Sequence, residues 1–297
     1  MRPRVLVTGA TGFTGSYVVP LLLKHDYQVR CLVRDKRKTS VLPPNNVELI
    51  YGDLADRSSL SEAFSGMDIL VNIASLGFGH APNIVESAVS AGIRRSVFIS
   101  TTAVNTTLNA PSKTVRLAAE DAIRRSGLAY TILRPTMIFG SSRDRNICRL
   151  VRYLSRWPII PVFGDGQKLQ QPVYVEDLAV AIVQALDSKA AIGKTYDISG
   201  QSPVTYDQLI DTVCGLLGRS VRKLHVPAGP LVATLTTFER LGVRLPIKAE
   251  QVLRLNEDKA FTHESATTDF GYRPRSLAEG IRKELEEMKL ATASSAR

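Results

Sequence analysis

Gly9, Gly12 and Gly15 follow the apolar run RVLVT (4–8) and open a helical pattern at about 15–24. That spacing suits an anion. The first glycine permits a tight turn. The second lets backbone N–H groups close on a diphosphate, and the third lets helix and strand pack closely with the helix N-terminus facing the charge. Thr11 and Phe13 on the same loop complete the candidate set. A glycine triplet alone carries little information. One that follows a strand, opens a helix and heads a strand–helix alternation points to dinucleotide binding.

A second chemical signal ends the next strand, in RCLVRDKRK (30–38). A site that prefers NAD usually places an acid there to accept from the ribose 2′-OH. This chain has Val33 at about that position and then Arg34, whose guanidinium can pair bidentately with a 2′-phosphate. Arg37 or Lys38 could add charge. NADP is the expected cofactor. NAD is the alternative, because Asp35 could bend back to a ribose.

The elements that would position these residues are short β-rich runs alternating with helical patterns. Strand candidates lie at 4–8, 28–33, 47–51, 68–73, 96–100 and 130–134, and helix candidates at about 15–24, 58–65, 82–92 and 112–126. The runs are apolar almost throughout, as parallel strands covered on both faces require. Right-handed crossovers and a doubly wound α/β sheet of the Rossmann type follow. Pro20, inside the first helix, predicts a kink or a short helix. After Gly140 the alternation fades into a loop, a short strand and a helix from near Val175. Another strand follows in GKTYDISG, and then a helix stopped by Gly218. The expected division is a nucleotide-binding domain over 1–140 and a smaller substrate lobe over 141–290, some of whose elements complete the main sheet. A frayed tail is expected over 291–297.

GATGFTG preceded by Thr8, GDL (52–54), ILRPTMIFG (132–140), QPVYVEDLA (171–179) and GYRPRSLAEGI (271–281) together resemble the extended and atypical branches of the short-chain dehydrogenase/reductase superfamily. The segment VFGDGQKLQQPVYVEDLA is similar to sugar-nucleotide epimerases and dehydratases. It is also similar to the nucleotide-binding accessory subunit of respiratory complex I. The resemblance implies that Asp53 and Leu54 lie beside the adenine, Ala74 and Ser75 line the middle of the cofactor, and Pro135 fixes the loop over the nicotinamide.

The resemblance also implies a serine or threonine after the fifth strand and a Tyr-x-x-x-Lys on the next helix. The lysine lowers the phenol's pKa, and the tyrosinate moves a hydroxyl proton. Ser100, Thr101 and Thr102 supply the hydroxyls, but the tyrosine and lysine are missing. Val115, Ala118, Ala119, Ala122 and Ile123 read as an apolar stripe. Ser112 and Arg116 flank it in the tyrosine and lysine slots, while Lys113 points toward solvent and makes Asn109–Lys113 the poorer match. A serine hydroxyl lies far above the phenol's pKa of ~10, and an arginine cannot store a proton near neutrality. Catalytic candidates are therefore Ser100, Thr101, Ser112, Arg116 and His80, an imidazole that follows the fourth strand. Tyr174 is a weaker candidate.

Two functions follow as expectations. One is an NADP-dependent epimerase, dehydratase or reductase acting on a nucleotide- or lipid-linked sugar or similar hydroxy/keto compound, with Arg116, Arg143 and Arg145 reaching its anionic groups. The other is a catalytically silent accessory, sensor or assembly protein. Lys and Arg number 38 against 28 Asp and Glu over 297 residues, a balance of +10 that favours anionic partners. No helix-turn-helix or zinc pattern accompanies the charge, so no nucleic-acid partner is expected, and the histidines show no metal-ligand spacing. Cys31, Cys148 and Cys214 read as buried free thiols of a reducing compartment. No apolar run reaches the ~20 residues that span a bilayer, so a cytoplasmic protein is expected. Peripheral membrane contact through 227–246 and pairing as a dimer are both open.

Overall fold

The computed structural model describes residues 2–108, 110–241, 243 and 248–294. The first half alternates strand and helix: β1 (Arg4–Thr8), α1 (Gly15–Lys24), β2 (Gln28–Val33), β3 (Glu48–Tyr51), α2 (Arg57–Phe64), β4 (Ile69–Asn72), α3 (Ala81–Ser90), β5 (Arg95–Ile99), α4 (Pro111–Arg125) and β6 (Tyr130–Pro135). The second half has shorter pieces. They are β7 (Ile138–Phe139), α5 (Ile147–Leu154), β8 (Ile159–Phe163), β9 (Leu169–Gln170), β10 (Val173–Tyr174), α6 (Val175–Asp187), β11 (Lys194–Ile198), β12 (Val204–Thr205), α7 (Tyr206–Leu217), β13 (Arg222–Val226), α8 (Ala228–Arg240), α9 (Ala249–Leu255), α10 (Glu264–Phe270) and α11 (Leu277–Ser294).

Seven strands form one sheet in the order β11-β6-β5-β4-β1-β2-β3, every pair parallel. Alternating side chains enter two different cores, so the strands are apolar almost throughout. Val5 and Val7 face α1 and α6, whose Val18, Leu22, Leu178 and Ile182 cover them. Leu6, Phe98 and Ile132 face Leu60, Phe64, Ile84 and Ile123 of α2, α3 and α4. Each such side chain contributes about 1.5–3 kcal/mol on burial. The strand order reverses between β1 and β4, and in open parallel sheets the crevice at that reversal, beyond the carboxyl ends, is where ligands bind.

Pro20 sits on the exposed face of a ten-residue helix, so its ring meets solvent rather than the sheet. The edge strand β11 comes from the second half and pairs with β6. Beyond it, α5, α7, α11 and three two-stranded sheets surround a separate core of Phe139, Val151, Leu154, Ile210, Val213 and Ile281. α7 ends as expected at Gly218, whose φ of 65° only glycine adopts readily. α11 continues through Ser294, four residues into the segment expected as a frayed tail; residues 295–297 lie outside the described residues.

The helix α4 differs from its sequence reading. Its buried residues are Ala119, Glu120 and Ile123, while Val115 and Leu117 are 37% and 39% exposed. The buried face is turned by about a quarter of a turn from the apolar stripe. A buried carboxylate accounts for this. Glu120 is fully enclosed and accepts from Arg134 Nε (2.9 Å), Arg134 Nη2 (2.5 Å), Arg124 Nη2 (2.7 Å) and Ser100 Oγ (2.7 Å). Burial alone would raise its pKa, but the hydrogen bonds from Arg134 and Ser100 bring it below the usual range.

Candidate functional site

The glycine loop stands at the strand-order reversal. Gly9 has φ of 72°, and a Cβ there would lie 2.7 Å from the Ala74 nitrogen. A Cβ on Gly12 would lie 3.1 Å from the Gly9 oxygen, and one on Gly15 would come within 2.3 Å of that same oxygen. The loop is thus a cradle that side chains would fill. Thr8 and Asn72, at the ends of β1 and β4, hold its floor. Thr8 Oγ1 donates to Asn72 Oδ1 (2.7 Å), and Asn72 Nδ2 donates to the Ala74 oxygen (3.1 Å).

A cleft of about 550 Å³ opens over this loop. Nine of the eleven residues expected to bind cofactor line it: Gly9, Thr11, Gly12, Phe13, Arg34, Asp53, Leu54, Ala74 and Ser75. Gly15 packs behind the loop, and Pro135 is buried at the end of β6, outside the cleft wall. His80 is on the wall, at the start of α3. Lys38, Phe78 and Arg145 also line it. Of these Lys38 was the only one foreseen as a cofactor contact; Arg145 was foreseen for substrate, and Phe78 was missed for want of any motif.

The cleft wall carries Arg34, Asp35 and Lys38 just beyond the end of β2. Arg34 has a side chain 78% exposed and forms an ion pair with Asp53 at 3.9 Å. Lys38 is on the wall, while Arg37 turns away to bind Asp35 through Nε (3.0 Å) and Nη2 (3.1 Å). Asp35 also accepts from the Arg37 nitrogen, and these contacts with Arg37 pull its pKa down. Asp35 also lines the cleft, with its carboxylate paired to Arg37.

Of the expected catalytic residues His80 lines the cleft, while Ser100, Thr101, Ser112 and Arg116 are not on its wall. Ser100 Oγ donates to Glu120. Thr101 caps a 3-10 turn by accepting from the Ala103 nitrogen (3.2 Å). Ser112 and Arg116 do meet, with Arg116 Nη1 donating to Ser112 Oγ at 3.1 Å. The N-cap of α4 is Ala110. Lys113 is half-buried rather than turned to solvent, and its Nζ donates to the Thr106 oxygen (2.6 Å). Asn109 lies outside the described residues. Tyr174 is a core residue against Phe139, with burial pushing its pKa up. Arg143 latches the glycine loop by donating to the Thr11 oxygen (3.0 Å) and Ser16 Oγ (2.9 Å). The three cysteines are free and buried. Among the described residues no cluster could hold a metal and no helix is long and apolar enough to cross a membrane.

A parallel sheet with a glycine cradle at its strand-order reversal defines a Rossmann-type dinucleotide-binding protein. The family model described as NAD(P)H-binding matches residues 9–189, and the chain belongs to that family. It is 27% identical to an Arabidopsis thaliana protein named NADH dehydrogenase [ubiquinone] 1 alpha subcomplex subunit 9, mitochondrial, over 89% of this chain and 70% of that one. It is 24% identical to the Photosystem II assembly factor Ycf39 of Guillardia theta, over 92% and 90%. Two solved structures share the fold. The UDP-glucose 4-epimerase of Thermotoga maritima superposes with a TM-score of 0.77 at 18% identity, over 97% and 99% of the chains. An NADPH-dependent quinone oxidoreductase of Escherichia coli superposes at 0.74 and 22%, over 93% and 98%. These likenesses place the chain in an extended short-chain dehydrogenase/reductase-like superfamily.

Proposed function

We propose that this chain is an NADP(H)-binding accessory, sensor or assembly protein rather than a sugar-alcohol enzyme. The observation that carries this reading is the hydrogen-bonded pair Ser112–Arg116 in the slots where the resemblance calls for tyrosine and lysine. A bound nicotinamide can supply or accept hydride, but alcohol oxidation, epimerisation and dehydration also need a base for a hydroxyl proton. Ser112 is too weak an acid to serve, and Arg116 stays charged. Ser100, the remaining hydroxyl, is tied to Glu120. The relatives named as a respiratory subunit and an assembly factor support a non-catalytic role.

NADP is the preferred form, supported by Arg34 and Lys38 on the cleft wall and by the engagement of Asp35 with Arg37. Residues 1–140 carry the nucleotide and 141–290 form the lobe for a second ligand. Three buried free thiols suit a reducing compartment such as the cytoplasm.

A second reading is a reductase in which His80 supplies a proton, favoured by its place on the cleft wall. Fluorescence titration with NADPH, followed by a search for hydride exchange with sugar nucleotides and quinones, separates the two. Binding without turnover is the expected result. Turnover that disappears in His80→Ala would establish the second reading instead.

A further inference from the structure

The junction between α4 and the segment after α9 holds more positive charge than its neighbours balance. Arg116 is half-buried and packs against Gly77, where an added Cβ would come within 3.2 Å of its Nε. Its hydrogen-bond partner is Ser112 Oγ, and among the described residues no carboxylate lies within ion-pair distance of it. Lys259 is half-buried too, and its Nζ donates to the Arg254 oxygen at 2.5 Å, with no carboxylate within ion-pair distance among the described residues. Lys113 Nζ donates to the Thr106 oxygen.

The acids nearby are already engaged. Glu250 pairs with Arg254 within α9 (2.7 Å). Glu257 accepts from Thr106 Oγ1 (2.6 Å), the Thr107 nitrogen (2.8 Å) and Thr107 Oγ1 (2.6 Å). Of Lys113, Arg116, Arg254 and Lys259, Arg254 is ion-paired with Glu250 and Lys259 feels the Glu257 charge, while the adjoining Asp258 is engaged by the Leu169 nitrogen and Lys168. Burial and then the Arg254 charge press the pKa of Arg116 down. Burial does the same to Lys259, partly countered by Glu257. Beside Lys259, whose nitrogen donates to the Leu169 oxygen, stands Gln170, with a buried amide Nε2 that meets no acceptor.

Half-buried cations without counter-ions are costly unless an anion completes them. We propose that this junction binds the oxyanion group, carboxylate or phosphate, of a second small molecule, with Arg116 as its principal contact and Lys259 beside it. Arg116 packs on Gly77, in the same short turn as Ser75 and Phe78, which line the cleft. The slot that serves proton transfer in the resembling enzymes is here an anion-recognition site. The inference rests on the reading that the cleft holds a dinucleotide, which places the second ligand next to it.

The test uses the full chain, with and without NADPH, titrated with inorganic phosphate by calorimetry at low ionic strength. Saturable binding with Kd in roughly the millimolar range is expected, weakened about tenfold in Arg116→Gln and in Lys259→Gln. NADPH affinity in both variants should stay within about twofold of wild type, which also shows that they fold. Arg116→Lys, which keeps the charge but loses the planar fork, should fall between. A phosphate response equal in wild type and Arg116→Gln, or no saturable response in either state, overturns the junction site. Failure of the wild type to bind NADPH counts against the dinucleotide reading alone, because the nucleotide-free arm still reads the junction.

Discussion

Glu120 shows what a single residue can hide from sequence reading. In AAEDAIRRSG it looks like one of several solvated charges, yet it is fully buried and gathers Arg134, Arg124 and Ser100. Glu120→Ala should destabilise the fold by about 3–5 kcal/mol in urea unfolding, because Arg134 is left enclosed without its counter-charge. Ser100→Ala removes one hydrogen bond to the same carboxylate and should cost only about 1–3 kcal/mol. Equal losses would mean that the cluster is not organised around Glu120. At the glycine loop, Gly15→Ala places a Cβ 2.3 Å from the Gly9 oxygen. The variant should lose NADPH affinity by an order of magnitude or more in a fluorescence titration, since loop and helix must separate to admit it. The glycines were legible because backbone geometry leaves few alternatives at such a turn. Arg37 and Asp35 were less so, since only the folded turn shows that they satisfy each other.

Among elements, β1 to β6 and α1 to α3 fall close to their expected ranges, because apolar runs and glycine stops specify them locally. The register of α4 was not legible. Its face is chosen by Arg134 on β6, a partner fourteen residues away that no periodicity reports. The two-residue strands of the second half were equally hidden, since each exists only through a distant neighbour, as Leu169–Gln170 does through Val204–Thr205. The helix α11 carries its own test. Glu284 is fully buried with neither oxygen meeting a donor, and burial, then the neighbouring Asp144 carboxylate, pushes its pKa up to about 10. A folded-state pKa raised above the unfolded value of about 4.3 means stability that is complete below that pH and declines as pH rises toward 10. Glu284→Gln, which keeps the shape and removes the ionisation, should therefore stabilise the protein by about 1–3 kcal/mol at pH 9 relative to its effect at pH 4. Thermal unfolding of both proteins across that range checks the sign. An effect independent of pH would place the ionised carboxylate in solvent.

Over the whole molecule, the parallel order of the sheet, its reversal between β1 and β4 and the cradle at that reversal agree on where a dinucleotide lies. The second half closes the arrangement by supplying β11 to the sheet edge and Arg143 to the glycine loop. On the proposed reading of the extra phosphate by exposed Arg34 and Lys38, NADPH affinity is expected to fall with added salt more steeply than NADH affinity. The most direct measurement compares NADPH and NADH binding to the wild type and to Arg34→Ala by fluorescence titration. The account predicts that the wild type binds NADPH more tightly and that Arg34→Ala weakens NADPH about tenfold or more while changing NADH less than about twofold. Equal weakening of both nucleotides, or no binding of either to the wild type, would contradict it.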